Sequence, residues 1–235
     1  MPASAATRMN VGHHDDGLLT NQLNTPPDPA ERTAPDLTPE KDLLLKSQAT
    51  LESLLSDPDY PSLLSLVTRA KAVLIVPKMF KLSFFLGGHG GSGVLLARGT
   101  NGKKWSNPAF YTIGGLNYGL QIGGQSSELI LAIMSEKGLQ ALLEHELTLG
   151  GSAGASVGTL GRGAQAATGL GAGADVYAFA RSEGLYVGVS LDGTIVTPDP
   201  SWNKALYGDG ATPDGILVQQ KFTSPYADRL VTAMP

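Results

Sequence analysis

Few residues in this sequence have the types and spacing for chemistry, and each set can be read definitely. Gly88-His89-Gly90-Gly91-Ser92-Gly93 has the spacing G-x-G-x-x-G. In a dinucleotide site that loop delivers a pyrophosphate to the N-terminus of the helix that follows. Here Val94-Leu95-Leu96-Ala97-Arg98 follows, which is a strand pattern, and no acidic residue stands where a ribose partner would. No Gly-Lys-Ser/Thr follows either, so the phosphate loop of nucleotide hydrolases is excluded. The stretch reads instead as a tight glycine turn between two strands. Two G-x-S-x-G matches, centred on Ser152 and Ser156, suggest a nucleophile elbow, and His89-Gly90-Gly91 is similar to an oxyanion loop. That arrangement needs serine, then acid, then histidine in chain order. His13, His14, His89 and His145 all precede both serines, so a serine hydrolase ranks last among the readings. His145, between Glu144 and Glu146, reads as a solvated helix end, because adjacent helical positions do not face each other. His13-His14-Asp15-Asp16 is a polar tail feature, and no metal-ligand spacing emerges elsewhere. With no cysteine, disulfides, thiolate metal sites and thiol nucleophiles are excluded. The expectation is a protein that is not an enzyme and holds no metal or cofactor.

The basic residues carry more. From Pro61 to Ser127 there is no acidic residue, while Arg69, Lys71, Lys78, Lys81, Arg98, Lys103 and Lys104 fall in that span. The whole chain has a net charge of −4, so the sum conceals a segregation. Lys78, Phe80, Lys81, Phe84 and Phe85 interleave charge with large apolar groups, and Lys103-Lys104-Trp105 repeats the mixture. Cations draw anionic head groups at about 1 kcal/mol each near a membrane surface. Aromatic side chains enter the interfacial layer, and amides at glycine turns cradle phosphate. The candidate lipid-binding residues are therefore Lys71, Lys78, Phe80, Lys81, Gly88, His89, Gly90, Arg98, Lys103, Lys104 and Trp105. Lys78, Lys81, Lys103 and Lys104 would capture charge, Phe80 and Trp105 would anchor, and Gly87–Gly93 would bind head groups. The plain alternative is a core Phe84-Phe85 with lysines guarding a sheet edge. Seven cations with few accessible aromatics make too thin a footprint for nucleic acid.

The elements that must position these residues are short. Residues 1–37 form a proline-rich polar leader, and 38–235 a single domain. Thr38-Pro39 starts a helix running to about Ser56, with Leu44, Leu51, Leu54 and Leu55 as its apolar stripe. A second helix spans Pro61 to Ala70. Val73–Val76 reads as a buried strand stopped by Pro77, followed by strands at Leu82–Leu86, Val94–Arg98, Ala109–Ile113, Tyr118–Ile122 and Glu128–Met134. Ser135 caps a helix, and Asp175–Arg181 pairs with Leu185–Leu191 in a hairpin before the turn at Asp192-Gly193. Helical turns follow at Trp202–Tyr207, after Thr212-Pro213 and from Pro225. Between them, residues 147–174 are small and glycine-rich, which suits closely approaching backbones. The pattern predicts an α+β fold: a mainly antiparallel, barrel-like sheet with N-terminal helices and short helices packed on it. No apolar run reaches the roughly 18–20 residues of a membrane span. Met1–Asp16 lacks a signal peptide's apolar core, so the expectation is a protein whose export signal has been removed, or else a cytoplasmic one.

Taken in order, Ala70-Lys71-Ala72-Val73-Leu74-Ile75-Val76-Pro77, Phe85–Leu95, Trp105-Ser106-Asn107-Pro108-Ala109-Phe110, Gly119–Gln125, Ala178–Gly193 and Tyr207-Gly208 make the chain resemble the SYLF domain family, also called the Ysc84-type actin-binding family. The resemblance runs from about Leu43 to Gly208. It implies a lipid-binding module of the free-standing bacterial kind, exported and peripheral in the cell envelope, without agreed catalytic residues. Its partner would be an anionic phospholipid membrane, phosphoinositides being the ligand in eukaryotic members, with actin a partner only by analogy with those relatives. A self-associating protein-interaction domain, forming a homo-oligomer, is the alternative. Where relatives have an acidic residue after Leu-Gly-Ala, this chain has Leu149-Gly150-Gly151-Ser152.

Overall fold

The computed structural model describes residues 37–83, 86–99, 104–118, 123–150, 154–160, 174–182 and 191–235. The leader at 1–36, Phe84-Phe85, residues 100–103 including Lys103, Ser152 and the expected second arm of a hairpin at 183–190 lie outside them. Within them are α1 (Pro39–Leu55), α2 (Leu63–Arg69), β1 (Ala72–Ser83), β2 (Leu86–Ala97), β3 (Ala109–Tyr118), β4 (Gly123–Ile133), α3 (Glu136–Glu144), β5 (Leu147–Leu149), β6 (Val157–Leu160), β7 (Val176–Ser182), β8 (Thr194–Pro198), α4 (Pro200–Tyr207), α5 (Pro213–Leu217) and α6 (Asp228–Ala233). The strands form one sheet in the order β5-β8-β3-β2-β1-β4-β7-β6. Every pair is antiparallel except β6 with β7. The two ends of that order meet: Leu149 bridges Ala155, with the Ala155 amide donating to the Thr148 carbonyl and the Gly150 amide to the Ala155 carbonyl, both at 2.9 Å. A Cβ on Gly154 would stand 2.3 Å from the Gly150 oxygen, so the seam requires glycine there. The sheet is therefore a nearly closed barrel, and the α+β, barrel-like expectation holds.

Both faces of the sheet are covered, which explains why Ala72–Val76 shows no alternation. Inward residues such as Leu74, Leu95, Tyr111 and Leu131 pack with Leu139 and Leu142 of α3 and with Ile216 and Leu217 of α5. Outward residues such as Val73, Ile75, Val94 and Phe179 pack under α1, α2, α4 and α6. The α1 stripe lies on the sheet, with Leu44, Leu51 and Leu54 buried, each contributing about 2 kcal/mol by leaving water. Arg181 holds the helix down: its Nε donates to Glu128 at 2.7 Å and its Nη2 to the Ser53 hydroxyl at 2.9 Å, while Thr50 donates to Glu128 at 2.9 Å. Inside, the Tyr111 hydroxyl donates to the Leu142 carbonyl at 2.8 Å and ties α3 to the barrel. Burial raises that phenol's pKa well above the usual range. Asn203, fully buried on α4, accepts from the Phe110 amide at 2.8 Å, extending the β3 edge past the end of β8.

Two expectations fail here for one reason. Pro77 does not stop β1, and Gly87–Gly93 is not a turn. β1 runs through Pro77 with one residue more than either neighbour: Ile75 and Lys78 pair with Val94 and Ser92 of β2, while Val76 and Met79 pair with Leu129 and Ser127 of β4. This is a β-bulge, where a strand tolerates a residue with no N–H to give. The bulge pushes the β1 backbone toward β2. A Cβ on Gly91 would lie 2.6 Å from the Lys78 oxygen, and one on Gly93 2.6 Å from the Ile75 oxygen. Those glycines make room for the bulge inside a continuous strand. Likewise β3 runs unbroken through Gly114-Gly115, since the His89 ring occupies the space where a Gly115 Cβ would be. The short β5 and β8 carry no periodic signal of their own, and the sequence reading names neither.

Gly93→Ala is expected to cost about 1–3 kcal/mol, the usual penalty of overpacking, in urea denaturation. Gly90→Ala, whose Cβ would meet nothing nearer than 3.4 Å, should stay within about 0.5 kcal/mol of the wild type.

Candidate functional site

The basic stretch divides between the two ends of the barrel. Lys71, Arg98, Lys104 and Trp105 stand where β1 begins and β2 ends, whereas Lys78, Phe80, Lys81, Gly88, His89 and Gly90 lie beyond the bulge. At roughly 3.3 Å per residue the two groups are about 20 Å apart along β1.

At the first end Trp105, Arg98 and Lys71 have partners within the fold. The Trp105 ring is 8% exposed, its Nε1 donates to the Pro235 carbonyl at 2.8 Å, and the Arg98 guanidinium lies 4.2 Å from its centroid. The anchoring role expected of Trp105 is thus ruled out by burial. Arg98 donates to the Thr68 carbonyl at 2.9 Å and the Ala70 carbonyl at 3.3 Å. It therefore serves the C-terminal end of α2, where a cation suits the helix dipole, and desolvation lowers its pKa. Lys71 pairs with Glu136 at 3.3 Å. Lys104 is exposed, and its carbonyl accepts from the Gly99 amide at 2.8 Å.

At the second end the faces separate. His89 is buried inside the barrel, with Nε2 2.8 Å from the Thr194 hydroxyl, so it is a core residue and offers nothing to a head group. Lys81 pairs with His89 in register and shares its inward face at the barrel mouth, half-buried. Lys78 and Phe80 face outward. Lys78 Nζ lies 4.7 Å from the Phe80 centroid, and Phe80 is 52% exposed. Among the described residues, Lys78 and Lys81 make no ion pair. Leu116 of β3, on the same outward face, is 74% exposed and was not singled out by sequence reading. Its only signal is the Gly-Gly-Leu step in a strand whose outward positions alternate. Between this tip and the helices is a groove of about 630 Å³ reached by Leu43 and the ion-paired Asp42 and Lys46 of α1, by Lys78, Phe80 and Gly114, and by Trp202 of α4.

The remaining chemical candidate, Ser156, belongs to a clamp. Its hydroxyl donates to the Asp175 carboxylate at 2.9 Å and accepts from the Asp175 amide at 2.9 Å, and its own amide donates to that carboxylate at 3.0 Å. Hydrogen bonds from the Ser135 hydroxyl and from Ser156 hold the Asp175 carboxyl below its usual range. Ser135 also caps α3 by accepting from the Gly138 amide at 3.0 Å, so one carboxylate joins the α3 cap to the starts of β6 and β7. Among the described residues no group of three or more metal-ligating side chains converges.

These observations define a helix-covered β-barrel with an apolar interior and, at one end, cations and hydroxyls beside exposed apolar side chains. The family described as "Ysc84: Las17-binding protein actin regulator" matches residues 114–235. Protein YSC84 of Saccharomyces cerevisiae is 34% identical over 166 residues, covering 69% of this chain and 35% of the relative. LAS seventeen-binding protein 3 of the same yeast is 33% identical over 165 residues, covering 69% of this chain and 36% of the relative. An SH3 domain-containing YSC84-like protein 1 of Xenopus laevis is 35% identical over 136 residues, covering 57% and 40%. The chain belongs to the Ysc84, or SYLF, family. It spans little more than a third of the length of the yeast relatives it matches.

The depressed pKa of Asp175 gives a pH test. A carboxylate whose folded pKa lies below its unfolded value of about 3.9 stabilises the fold above that value and loses the effect as pH falls through the folded pKa. The stability gap between wild type and Asp175→Asn, from denaturant melts, should be largest near neutrality and narrow as the pH drops below about 4.

Proposed function

We propose that this chain binds anionic phospholipid membranes peripherally and without catalysis, through the outward face of the barrel tip. The observation that carries the reading is the pairing of exposed Phe80 and Leu116 with Lys78 on one face, beyond the helical cover. Exposed large apolar side chains grouped beside a cation are costly in water and suited to the interfacial layer. Lys81 adds charge at the barrel mouth. Compared with the residues proposed from sequence, the surface contracts to Lys78, Phe80, Lys81 and Leu116, with Gly88 and Gly90 as backbone between them. Lys71, Arg98, Lys104 and Trp105 belong to the other end.

A second reading draws on the relatives. The family description names a Las17-binding actin regulator, and the tip could meet an acidic protein surface by the same charges. Membrane binding is preferred because Phe80 and Leu116 lie at the extremity of a strand group, a shape suited to insertion into a soft layer.

Flotation with neutral and anionic vesicles at low and high salt tests the proposal. The wild type should float only with anionic vesicles, and less at high salt. Lys78→Glu with Lys81→Glu should weaken binding at least tenfold, at about 1 kcal/mol per charge removed. Phe80→Ser should weaken it without changing its salt dependence. No flotation with any vesicle, together with actin co-sedimentation lost in the lysine double variant, would replace the membrane with a protein partner.

A further inference from the structure

The outward glycines of β2 and β3 pose a question that the fold does not answer. Gly91, Gly93 and Gly115 face inward and are required, since a Cβ on each would come within 2.7 Å of a neighbouring atom. Gly88, Gly90 and Gly114 face outward, and a Cβ on them would find its nearest neighbour at 3.6, 3.4 and 3.6 Å, which is ordinary contact. Packing therefore does not demand glycine at these three positions. Their effect is on the surface. Phe80 pairs with Gly90, Gly90 with Gly114, and Gly114 with Ile195 of β8, so one row across four strands runs Phe80, Gly, Gly, Ile195. Both end residues are exposed, Ile195 at 40%. At about 4.8 Å per strand the two walls stand roughly 14 Å apart over a floor without side chains.

The row above this floor, toward the helices, is polar: Lys78 pairs with Ser92, and Ser92 with Thr112. The row below, toward the tip, ends at Leu116 opposite Gly88. The trough thus has a cation and two hydroxyls at its upper end, bare backbone between apolar walls in the middle, and an exposed leucine at its lower end. Its upper part opens into the groove of about 630 Å³, within the range of small-molecule sites.

We propose that this trough receives a single anionic lipid molecule, its head group against Lys78, Ser92 and Thr112 and the upper part of one acyl chain lying over Gly90 and Gly114 between Phe80 and Ile195. The inference rests on the membrane reading and deepens it from a surface to a site. Its polarity fits a barrel that approaches a bilayer tip first. A head group then lies at the level of Lys78, and the chain runs down past Leu116 into the hydrocarbon. A flat electrostatic contact would need no such channel.

The probe is myristoyl lysophosphatidylglycerol below its micelle concentration, titrated calorimetrically into the full chain, with vesicle flotation in parallel. The wild type should bind it saturably at one site. Gly114→Leu, which fills the floor, and Ile195→Ser, which removes a wall, should each weaken that binding at least tenfold. Gly114→Ala should change it less than threefold. All three should keep wild-type thermal melts, and flotation of Gly114→Leu and Ile195→Ser should fall with their monomer affinity without being abolished, because Lys78 and Phe80 still meet the membrane surface. Absence of saturable monomer binding by the wild type overturns the trough, as does wild-type affinity in both folded Gly114→Leu and Ile195→Ser. Failure of the wild type to float, with monomer binding intact, overturns the membrane reading and leaves the trough as a site for a free lipid.

Discussion

The surplus residue in β1 at Pro77 is the constraint on which the rest of this barrel depends. β1 is flanked by β2 and β4, so it is a central strand, where a missing N–H would ordinarily break a ladder. Admitting one extra residue accommodates the proline and reverses the direction of everything after it. Before the bulge, Val73 and Ile75 point outward under helices while Leu74 and Val76 point inward. In an unbulged strand Lys78 and Phe80 would continue the inward series and place an ammonium in the barrel core. The bulge instead turns Met79 into the core and Lys78 and Phe80 out to solvent. Burying that charge unpaired would cost several kcal/mol. The bulge also dictates glycine at positions 91 and 93, where the displaced β1 backbone leaves no room for a side chain.

This constraint divides the molecule into two zones. On one side of the bulge the sheet is covered on both faces, and its cations have structural partners: Arg98 on the α2 carbonyls and Lys71 on Glu136. Glu128, the first acidic residue after Asp59 in the chain, is bonded by Arg181 across β4 and β7. The acid-free run from Pro61 to Ser127 is therefore no single basic surface. Folding supplies an acid from elsewhere in the chain to Lys71 and helix carbonyls to Arg98, and leaves Lys78 and Lys81 at the far end without ion pairs among the described residues.

Local signals were legible in the sequence, and signals set by distant backbone were not. The starts of α1 and α5 follow from Thr-Pro pairs, that of α3 from Ser135, and the two-sided burial of Ala72–Val76 from its unbroken apolar run. The glycines from Gly87 to Gly93 were misread because a strand glycine and a turn glycine look alike. What distinguishes them is the oxygen of Ile75 or Lys78 across the ladder. Trp105 looked interfacial for a similar reason: beside two lysines it resembles an anchor, and only its bond to Pro235, 130 residues away, marks it as core. Which distal candidates face solvent depends on the alternation after the bulge, and the bulge itself could not be read from Pro77 alone.

The strand order has a consequence for the birth of the chain. β1, β2 and β3 form a meander of neighbours that can pair as soon as they leave the ribosome, and β4 then returns to the free side of β1. The outer edge of β3 waits for β8 and Asn203, which are some 80 residues further on. During synthesis that edge stands open as a row of unpaired amides, ready to template another strand. Polypeptide truncated before Thr194 would keep it open permanently. The last fifth of the chain therefore acts as an internal guard against strand-to-strand aggregation, apart from any part it has in binding.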